Sequence, residues 1–252
     1  MPGGNRAVQK LAEGARGLDM PLTEDQLKAF QIYYEALVTW NERVNLTRIT
    51  DYEAVQVKHF LDSLACLPLI QRTWAKVAWT REAGAQAIDV GSGAGFPGVA
   101  LKIVWPGLRL TLLEATGKKA EFLRFLVQRL GLADVAVVHA RAEEIGHHPA
   151  HREQYDLALA RALAEMAALA ELTLPLVRSG GLVIAYKGED PAAEVAAAHR
   201  AILAMGGQVR EIQPLSIPGL DEARHLVVLE KVTSTPAKYP RRPGMPAKRP
   251  LK

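Results

Sequence analysis

The chain is short of the residue types that mark secreted, metal-binding and membrane-spanning proteins. It has a single cysteine, Cys66, among 252 residues, which excludes a disulfide framework and any zinc site built from several cysteines. No apolar run approaches the roughly 18 residues that a membrane-spanning helix needs. The charged N-terminal residues are not followed by the apolar segment of a secretory signal. We therefore expect a cytoplasmic protein with no metal and no membrane partner.

Acidic residues are missing from the C-terminal end. Between Lys231 and Lys252 there are seven basic residues and no acid, although the formal charge of the whole chain is only +4. A basic, proline-rich tail suits an extended arm that lies along nucleic-acid phosphates, with Tyr239 available to stack on a base. Solvated disorder is the alternative that composition alone leaves open.

Residues 87–98 carry the most information, because a short apolar strand runs directly into a turn with four glycines in eight residues. Glycine is needed where the backbone takes a positive φ or lies against a ligand with no Cβ in between. An apolar helical pattern begins at Val99. Strand, turn and helix together predict the ligand-binding corner of a doubly wound α/β sheet.

The glycine spacing distinguishes between ligands. The dinucleotide pattern G-x-G-x-x-G fails because Phe96 stands at its last glycine, and the P-loop fails because Val99 stands where lysine is required. An acid followed by three alternating glycines is the pattern of the S-adenosyl-L-methionine (SAM) site in Rossmann-like methyltransferases, and here those residues are Asp89, Gly91, Gly93 and Gly95. Because SAM carries no phosphate, an acid beside the turn does not repel it. A tight structural turn without ligand is the alternative.

Glu114 supports the same interpretation from the second predicted strand. It ends that strand about 20 residues beyond the glycines, where an acid commonly binds ribose hydroxyls. A carboxylate at a strand end can accept two charge-assisted hydrogen bonds from a ribose diol. An acid that merely begins a loop is the alternative for this position.

The remaining pattern predicts a Rossmann-like SAM-dependent methyltransferase fold, α/β, with a seven-stranded mostly parallel sheet, one antiparallel edge strand and an N-terminal helical extension. We expect residues 1–20 to be disordered or weakly helical, and Thr23 with Gln26 to form a capping box. Residues 1–75 are predicted to form the extension, 76–233 the methyltransferase domain and 234–252 the basic tail. The predicted helices are 23–40, 117–130, 164–177 and 191–205. The predicted later strands are 109–115, 135–140, 156–161, 182–187, 208–214 and 225–232.

With these elements in place, the chain closely resembles the RsmG (GidB) family, bacterial methyltransferases that act on N7 of one guanine in small-subunit 16S rRNA. The resemblance covers nearly the whole chain after residue 20. Ala115 is a mild departure, because the family more often has serine after the acid. The motifs that carry the resemblance are Asn45-Leu46-Thr47, His59-Phe60-Leu61-Asp62-Ser63-Leu64, residues 89–98, Arg141-Ala142-Glu143, Arg161-Ala162, Tyr186-Lys187-Gly188 and Lys238-Tyr239-Pro240-Arg241.

The resemblance implies roles for individual residues, with SAM as cofactor and S-adenosyl-L-homocysteine as product. The expected cofactor-binding residues are Asp89, Gly91, Gly93, Phe96, Glu114, Ala115, Ala142, Glu143 and Arg161. The expected RNA-binding residues are Asn45, His59, Lys187, Lys238, Tyr239, Arg241 and Arg242. No catalytic residue is firmly assigned, and Arg161 and Lys187 are the candidates for positioning.

Each of these roles has a simpler alternative. Arg161 could pair with Asp156 or Glu165, and Glu143 could be an acid at a helix N-terminus. Lys187 could be a surface lysine whose stem covers apolar side chains. His59 could be a hydrogen-bonded packing residue, and Asn45 could cap a turn.

The implied reaction needs little chemistry from the protein, because guanine N7 is a free lone pair and requires no deprotonation. The protein's task would be to position guanine N7 in line with the methyl group and to exclude water from the two reactants. Cys66 precedes the glycine turn and is unsuited to the nucleophilic route of pyrimidine C5 methylation. We expect a monomer that acts on 16S rRNA or on the small ribosomal subunit. A methyltransferase for a small molecule or another RNA, and a non-catalytic nucleotide-binding module, remain the alternatives.

Overall fold

The computed structural model describes residues 8–75 and 84–251. Within these residues no helix is long and apolar enough to cross a bilayer. The α-helices are α1 (Gln9–Gly17), α2 (Glu24–Val44), α3 (Tyr52–Val55), α4 (Asp62–Leu64), α5 (Leu67–Ala75), α6 (Gly98–Val104), α7 (Gly117–Arg129), α8 (Ala142–Ile145), α9 (Met166–Thr173), α10 (Ala192–Ala197), α11 (His199–Ala204) and α12 (Met245–Lys248). The strands are β1 (Gln86–Val90), β2 (Arg109–Glu114), β3 (Val135–His139), β4 (Tyr155–Arg161), β5 (Val177–Lys187), β6 (Gly207–Leu215) and β7 (Arg224–Lys231).

All seven strands form one sheet in the order β3-β2-β1-β4-β5-β7-β6. Strands β1 to β5 pair in parallel, and β7 runs antiparallel to both β5 and β6. The predicted fold class is confirmed, with the antiparallel strand one position in from the β6 edge. The strand order reverses between β1 and β4, so the carboxyl ends of these strands open the crevice in which such sheets bind ligands.

The N-terminal helices pack against the sheet in the same hydrophobic core. Helix α2 begins at the predicted capping box, in which Thr23 and Gln26 exchange side-chain and backbone hydrogen bonds. It continues past the predicted end at residue 40 to Val44, where Asn45 takes a left-handed φ of 51° and ends it. Residues 9–17, expected to be disordered or weakly helical, form α1, and Leu11 is fully buried.

Helices α3 and α4 are joined by a π-helical segment, Gln56–Leu61. A π-helical turn is wider than an α-helical one and frequently marks a functional position. Here it carries Phe60, whose ring packs against Tyr33 of α2 and against Phe96 in the glycine turn. The N-terminal helices therefore reach the turn that the sequence singled out.

Three predicted boundaries were wrong in detail. The helix predicted over 164–177 ends at Thr173, and a 3₁₀ turn, Leu174–Leu176, leads directly into β5. Strand β5 therefore begins at Val177 and not after the glycine pair at 180–181, which lies inside the strand. The helix predicted over 191–205 is two short helices that meet at Ala198.

Helix α5 ends at Ala75, and residues 76–83, where the predicted extension meets the predicted methyltransferase domain, lie outside the described residues. The division of the chain into 1–75, 76–233 and 234–252 stays a prediction.

The basic tail is folded against the protein, and we call residues 234–251 the C-terminal strap. Tyr239 and Leu251 pack on the hydrophobic cluster at one face of the sheet, and Pro246 is buried. Just before the strap, Lys231 is fully buried and its ammonium group donates to the carbonyl of Leu174. Of the two interpretations from composition, solvated disorder does not describe this segment.

Candidate active site

The glycine turn has the backbone that its sequence predicts. Gly91, Gly93 and Gly95 take φ values of 73°, 57° and 95°, which side chains other than glycine rarely adopt. The amide of Gly91 donates to the carbonyl of Leu113 at 2.8 Å, so the turn is fixed to the end of β2. A Cβ built on Gly93 would meet only a backbone oxygen at 3.8 Å. The turn therefore has one open face, at Gly93.

Asp89 lies beneath the turn and supports it from inside. Its side chain is fully buried, and Oδ2 accepts a hydrogen bond from the amide of Gly98 at 2.9 Å. Oδ1 is buried without a hydrogen-bond partner. Burial raises the pKa of Asp89 to about 7, because the charged form loses its hydration. The acid of the motif thus anchors the first turn of α6.

Glu114 links the end of β2 to the open face of the turn. Its Oε2 accepts from the amide of Gly93 at 2.9 Å, and its Oε1 accepts from the amide of Thr116 at 2.7 Å. Each carboxylate oxygen has a second lone pair, so both oxygens can still accept a ligand hydroxyl. Ala115, the next residue, is exposed beside it.

The third acid of the predicted cofactor site is at the start of α8. The amide of Ala140 donates to the carbonyl of Glu114 at 3.2 Å, so the end of β3 lies beside the end of β2. Ala142 and Glu143 begin α8 immediately afterwards. Glu143 is almost completely buried, and its Oε1 accepts from the amide of Gly244 in the C-terminal strap at 2.8 Å.

Arg161 joins β4 to the N-terminal helices. Its Nη1 donates to Oδ2 of Asp62 at 2.9 Å, and its guanidinium lies 5.1 Å from the centre of the Phe96 ring. The partners suggested by the sequence, Asp156 and Glu165, were wrong, because Arg161 forms its ion pair with Asp62 and Asp156 pairs with Arg178. Asp62 also contacts Arg224 at 3.3 Å, and its burial raises its pKa even though both guanidinium groups oppose the rise.

His59 completes this cluster as a neutral residue. Its Nδ1 lies 3.1 Å from both Nη2 of Arg161 and the carbonyl oxygen of Lys58. In the tautomer protonated at Nε2, Nδ1 accepts from Arg161, because a guanidinium can only donate. Its Nε2 then donates to Oγ1 of Thr47 at 2.8 Å. Burial and the charge of Arg161 lower the pKa of His59 to about 3. Its ring stacks on Phe96 with the centroids 4.7 Å apart, so the rings of His59 and Phe96 both lie within the protein.

A cavity of about 470 Å³ opens at the carboxyl ends of β4 and β5. It adjoins the glycine turn through Leu163, because a Cβ built on Gly91 would lie 2.8 Å from the Leu163 side chain. Lys187 reaches the cavity from the end of β5 and donates to Glu194 at 2.7 Å and to the Ala164 carbonyl at 3.1 Å. Besides Tyr186, the ionisable side chains that line the cavity are one acid, one neutral histidine and four basic residues: Asp62, His59, Lys58, Arg161, Lys187 and Arg224.

The residues predicted to bind RNA from the surface fall into two groups. Asn45, Lys238 and Arg242 are accessible, and nothing in their positions prevents contact with phosphates. Arg241 is engaged within the protein, because its guanidinium and its amide bind both carboxylate oxygens of the fully buried Glu171. Tyr239 is half-buried on the hydrophobic cluster beneath the strap.

Sequence reasoning missed several residues that support the site. The hydroxyl of Tyr33 donates to the carbonyl of Ala94 inside the glycine turn at 2.7 Å. That of Tyr186 donates to the Ser63 carbonyl at 2.7 Å. No local spacing predicts such contacts. Asp62, however, stands inside the motif that begins at His59, and an acid on an apolar helix face indicates a buried partner.

Comparison with known proteins agrees with this architecture. The family model described as GidB, rRNA small subunit methyltransferase G, matches residues 26–227. The Ribosomal RNA small subunit methyltransferase G of Roseiflexus sp. (strain RS-1) is 50% identical over 244 residues, covering 97% of this chain and 100% of that protein. The protein of the same name from Chloroflexus aggregans is 48% identical over 241 residues, covering 96% and 97%.

Solved structures are similar at the level of the fold. Cofactor-bound Rv0187 from MTB superimposes with a TM-score of 0.53 at 22% identity, covering 80% of this chain and 90% of that one. A mutant of MtNAS gives 0.51 at 18% identity, covering 90% and 86%. Because the family model runs from α2 into β7 and includes the glycine turn, the acids and Arg161, the chain belongs to the rRNA small subunit methyltransferase G (GidB) family.

Proposed function

We propose that this chain transfers a methyl group from SAM to N7 of a guanine in the 16S rRNA of the small ribosomal subunit. The observation that carries the proposal is the glycine turn, which has an open face at Gly93 bordered by Glu114 and touches, at Gly91, the Leu163 side chain of a cavity with four basic side chains. The open face beside Glu114 suits a nucleoside, and the basic cavity suits the phosphates of an RNA acceptor. The names of the relatives support rRNA as the substrate.

The residues around the turn fit SAM better than a phosphate-bearing cofactor. Three buried acids lie at this edge of the sheet: Asp89 near the end of β1, Glu114 at the end of β2 and Glu143 in α8, just after β3. Carboxylates that are ionised there would repel a pyrophosphate. Glu114 keeps lone pairs for two ribose hydroxyls, and the bare backbone at Gly93 permits close approach. In this proposal Glu143 and the backbone of Ala142 contact the adenine, and Ala115 borders the ribose.

The chain's task in the transfer is to align the reactants, which can supply several kcal/mol of a barrier. SAM, when bound, supplies an electrophilic methyl group on its sulfonium. Guanine N7 carries no proton, so no general base is required. His59 is not needed as a base, because its low pKa and its hydrogen bonds make it a fixed neutral support for Arg161.

Arg161 and Lys187 are the positioning residues of this proposal. The first is held by Asp62 and His59 at the mouth of the cavity, and the second is held by Glu194. Cations fixed in this way attract RNA phosphates and lose little side-chain freedom when they bind them. Asn45, Lys238 and Arg242 would extend this contact along the RNA, and monomeric behaviour stays a prediction.

The proposal is tested first by calorimetry with SAM, NAD and ATP, and then by methyl incorporation into small-subunit RNA that lacks the mark. We expect the protein to bind SAM but neither NAD nor ATP. We also expect it to modify a single guanine at N7, which chemical cleavage and primer extension would map. Gly93→Val should abolish SAM binding because the side chain fills the open face.

Gly131→Val is the matched control, because Gly131 has a similar φ of 61° and also no close neighbour, but lies at the end of α7. Failure of the wild-type protein to bind SAM would refute the proposal. SAM binding with methylation of a small molecule and not of rRNA would refute its substrate.

A further inference from the structure

The first part of the C-terminal strap is bound by Arg152, whose guanidinium donates to three carbonyl groups of the strap. Nη1 of Arg152 donates to the carbonyls of Gly146 at 2.6 Å and Tyr239 at 2.8 Å. Nη2 donates to the carbonyls of Thr235 at 2.7 Å and Pro236 at 3.3 Å. Hydrogen bonds from a charged donor are the stronger kind, so one side chain joins the strap to the end of α8.

An ion pair inside the protein fixes the strap a second time. Glu171 of α9 is fully buried, and Arg241 binds its two oxygens through Nε and Nη2 at distances of 2.7 to 3.1 Å. The backbone amide of Arg241 adds a third donor. An unpaired buried carboxylate is costly, so Glu171 favours the docked position of the strap.

The docked strap then reaches the cofactor-binding edge of the sheet. Pro240 packs so closely on Gly146 that a Cβ there would lie 2.7 Å from the proline ring. The carbonyl of Pro240 accepts from Nε2 of His147 at 2.7 Å. Further along the strap, the amide of Gly244 donates to Oε1 of Glu143. The strap thus holds both ends of α8.

We propose that the C-terminal strap is a working part of the cofactor site, in which Gly244 and Pro240 hold α8 so that Glu143 is oriented toward the adenine of SAM. The inference rests on the proposed function, since it assigns Glu143 to the cofactor. Docking of the strap and binding of SAM are then coupled, and each must favour the other by the same factor. Arg152, Glu171 and Arg241 are positioning residues that act through Glu143.

Hydrogen–deuterium exchange on the intact wild-type protein tests the coupling directly. SAM should slow exchange of the amides over residues 240–248 about tenfold or more, the size of effect typical of coupled sites. Amides of the remote β6 strand serve as the internal control. A strap with a purely structural role would exchange at the same rate with and without SAM, and that result overturns the inference.

Calorimetry on two strap variants gives the second test. Arg241→Ala removes the guanidinium that neutralises Glu171 and leaves only the backbone amide of residue 241 as its partner in the strap. We expect the Kd for SAM to rise about tenfold, comparable with loss of one charge-assisted hydrogen bond. Arg249→Ala, an exposed arginine in the same strap, should leave Kd unchanged. Equal Kd values for both folded variants would overturn the inference while wild-type SAM binding leaves the proposed function standing. Absence of SAM binding in the wild type would instead defeat the proposed function.

Discussion

Asp89→Asn should change the pH dependence of stability in a way that can be calculated from the structure. The buried carboxyl group has a pKa of about 7 in the folded protein, against about 3.9 in an unfolded chain. Between these values the native state holds a proton that the unfolded state has released. Its stabilising contribution is therefore complete below about pH 4 and is lost as pH rises through 7.

The magnitude follows from the proton linkage. Between pH 5 and pH 7 the native state keeps a proton that the unfolded state has already lost, so the free energy of unfolding falls by about 1.4 kcal/mol per pH unit, or about 3 kcal/mol in all, and levels off above pH 7. Asparagine keeps an oxygen for the Gly98 amide, which now binds Oδ2 at 2.9 Å, and cannot ionise. The variant should therefore lack this loss, and its stability relative to wild type should rise by about 3 kcal/mol across that pH range.

Urea denaturation at pH 5, 6, 7 and 8, without cofactor, measures the effect as a difference between variant and wild type. The difference matters because His59 acts in the opposite direction, its pKa being lowered to about 3. Its contribution is present above about pH 6.5 and is lost on acidification. Asp221→Asn, at an exposed position, is the control. A constant difference between Asp89→Asn and wild type from pH 5 to 8 would show that Asp89 is ionised throughout, contrary to this reasoning.

Three further predictions follow from single contacts. Gly98→Ala should destabilise the protein by about 1–3 kcal/mol, because the new Cβ would lie 2.7 Å from the buried carboxylate of Asp89. Thermal unfolding measures this loss of stability, and an unchanged Tm would contradict the close packing of α6 on Asp89. Arg242→Ala should reduce the slope of log RNA affinity against log salt by about 1 if this exposed arginine contacts a phosphate, and an unchanged slope would remove it from the RNA surface. The imidazole of His59 should stay neutral from pH 8 to pH 4.5 in NMR titration, whereas protonation near pH 6.5 would mean that Arg161 does not contact it.

The glycine turn could be predicted from sequence because its cause is local. Positive φ at Gly91, Gly93 and Gly95 is a property of the chain at those residues, and the observed values agree with it. The capping box at Thr23 is local in the same sense, since both of its hydrogen bonds span three residues. The seven-stranded, mostly parallel sheet followed from alternating strands and helices, which admit few topologies.

The side-chain clusters could not be predicted, because they join residues far apart in the chain. Arg161 binds Asp62, which is 99 positions away in the sequence. The acids nearer in the sequence, Asp156 and Glu165, were the partners suggested at first. The same applies to Arg241 and Glu171, which are 70 positions apart. One local signal existed, because Glu171 is the only charged residue in the α9 sequence MAALAELT, and such an acid requires a partner from elsewhere.

The two ends of the chain meet the glycine turn and its neighbouring acids from different sides. From the N-terminal side, Tyr33 stacks on Phe96 and its hydroxyl binds the turn. From the C-terminal side, the strap binds Glu143 through Gly244. The sheet alone supplies the backbone of the site, but the orientation of its side chains depends on both ends. A bound cofactor should therefore slow amide hydrogen exchange in both α2 and the strap, although the two segments lie far apart along the chain.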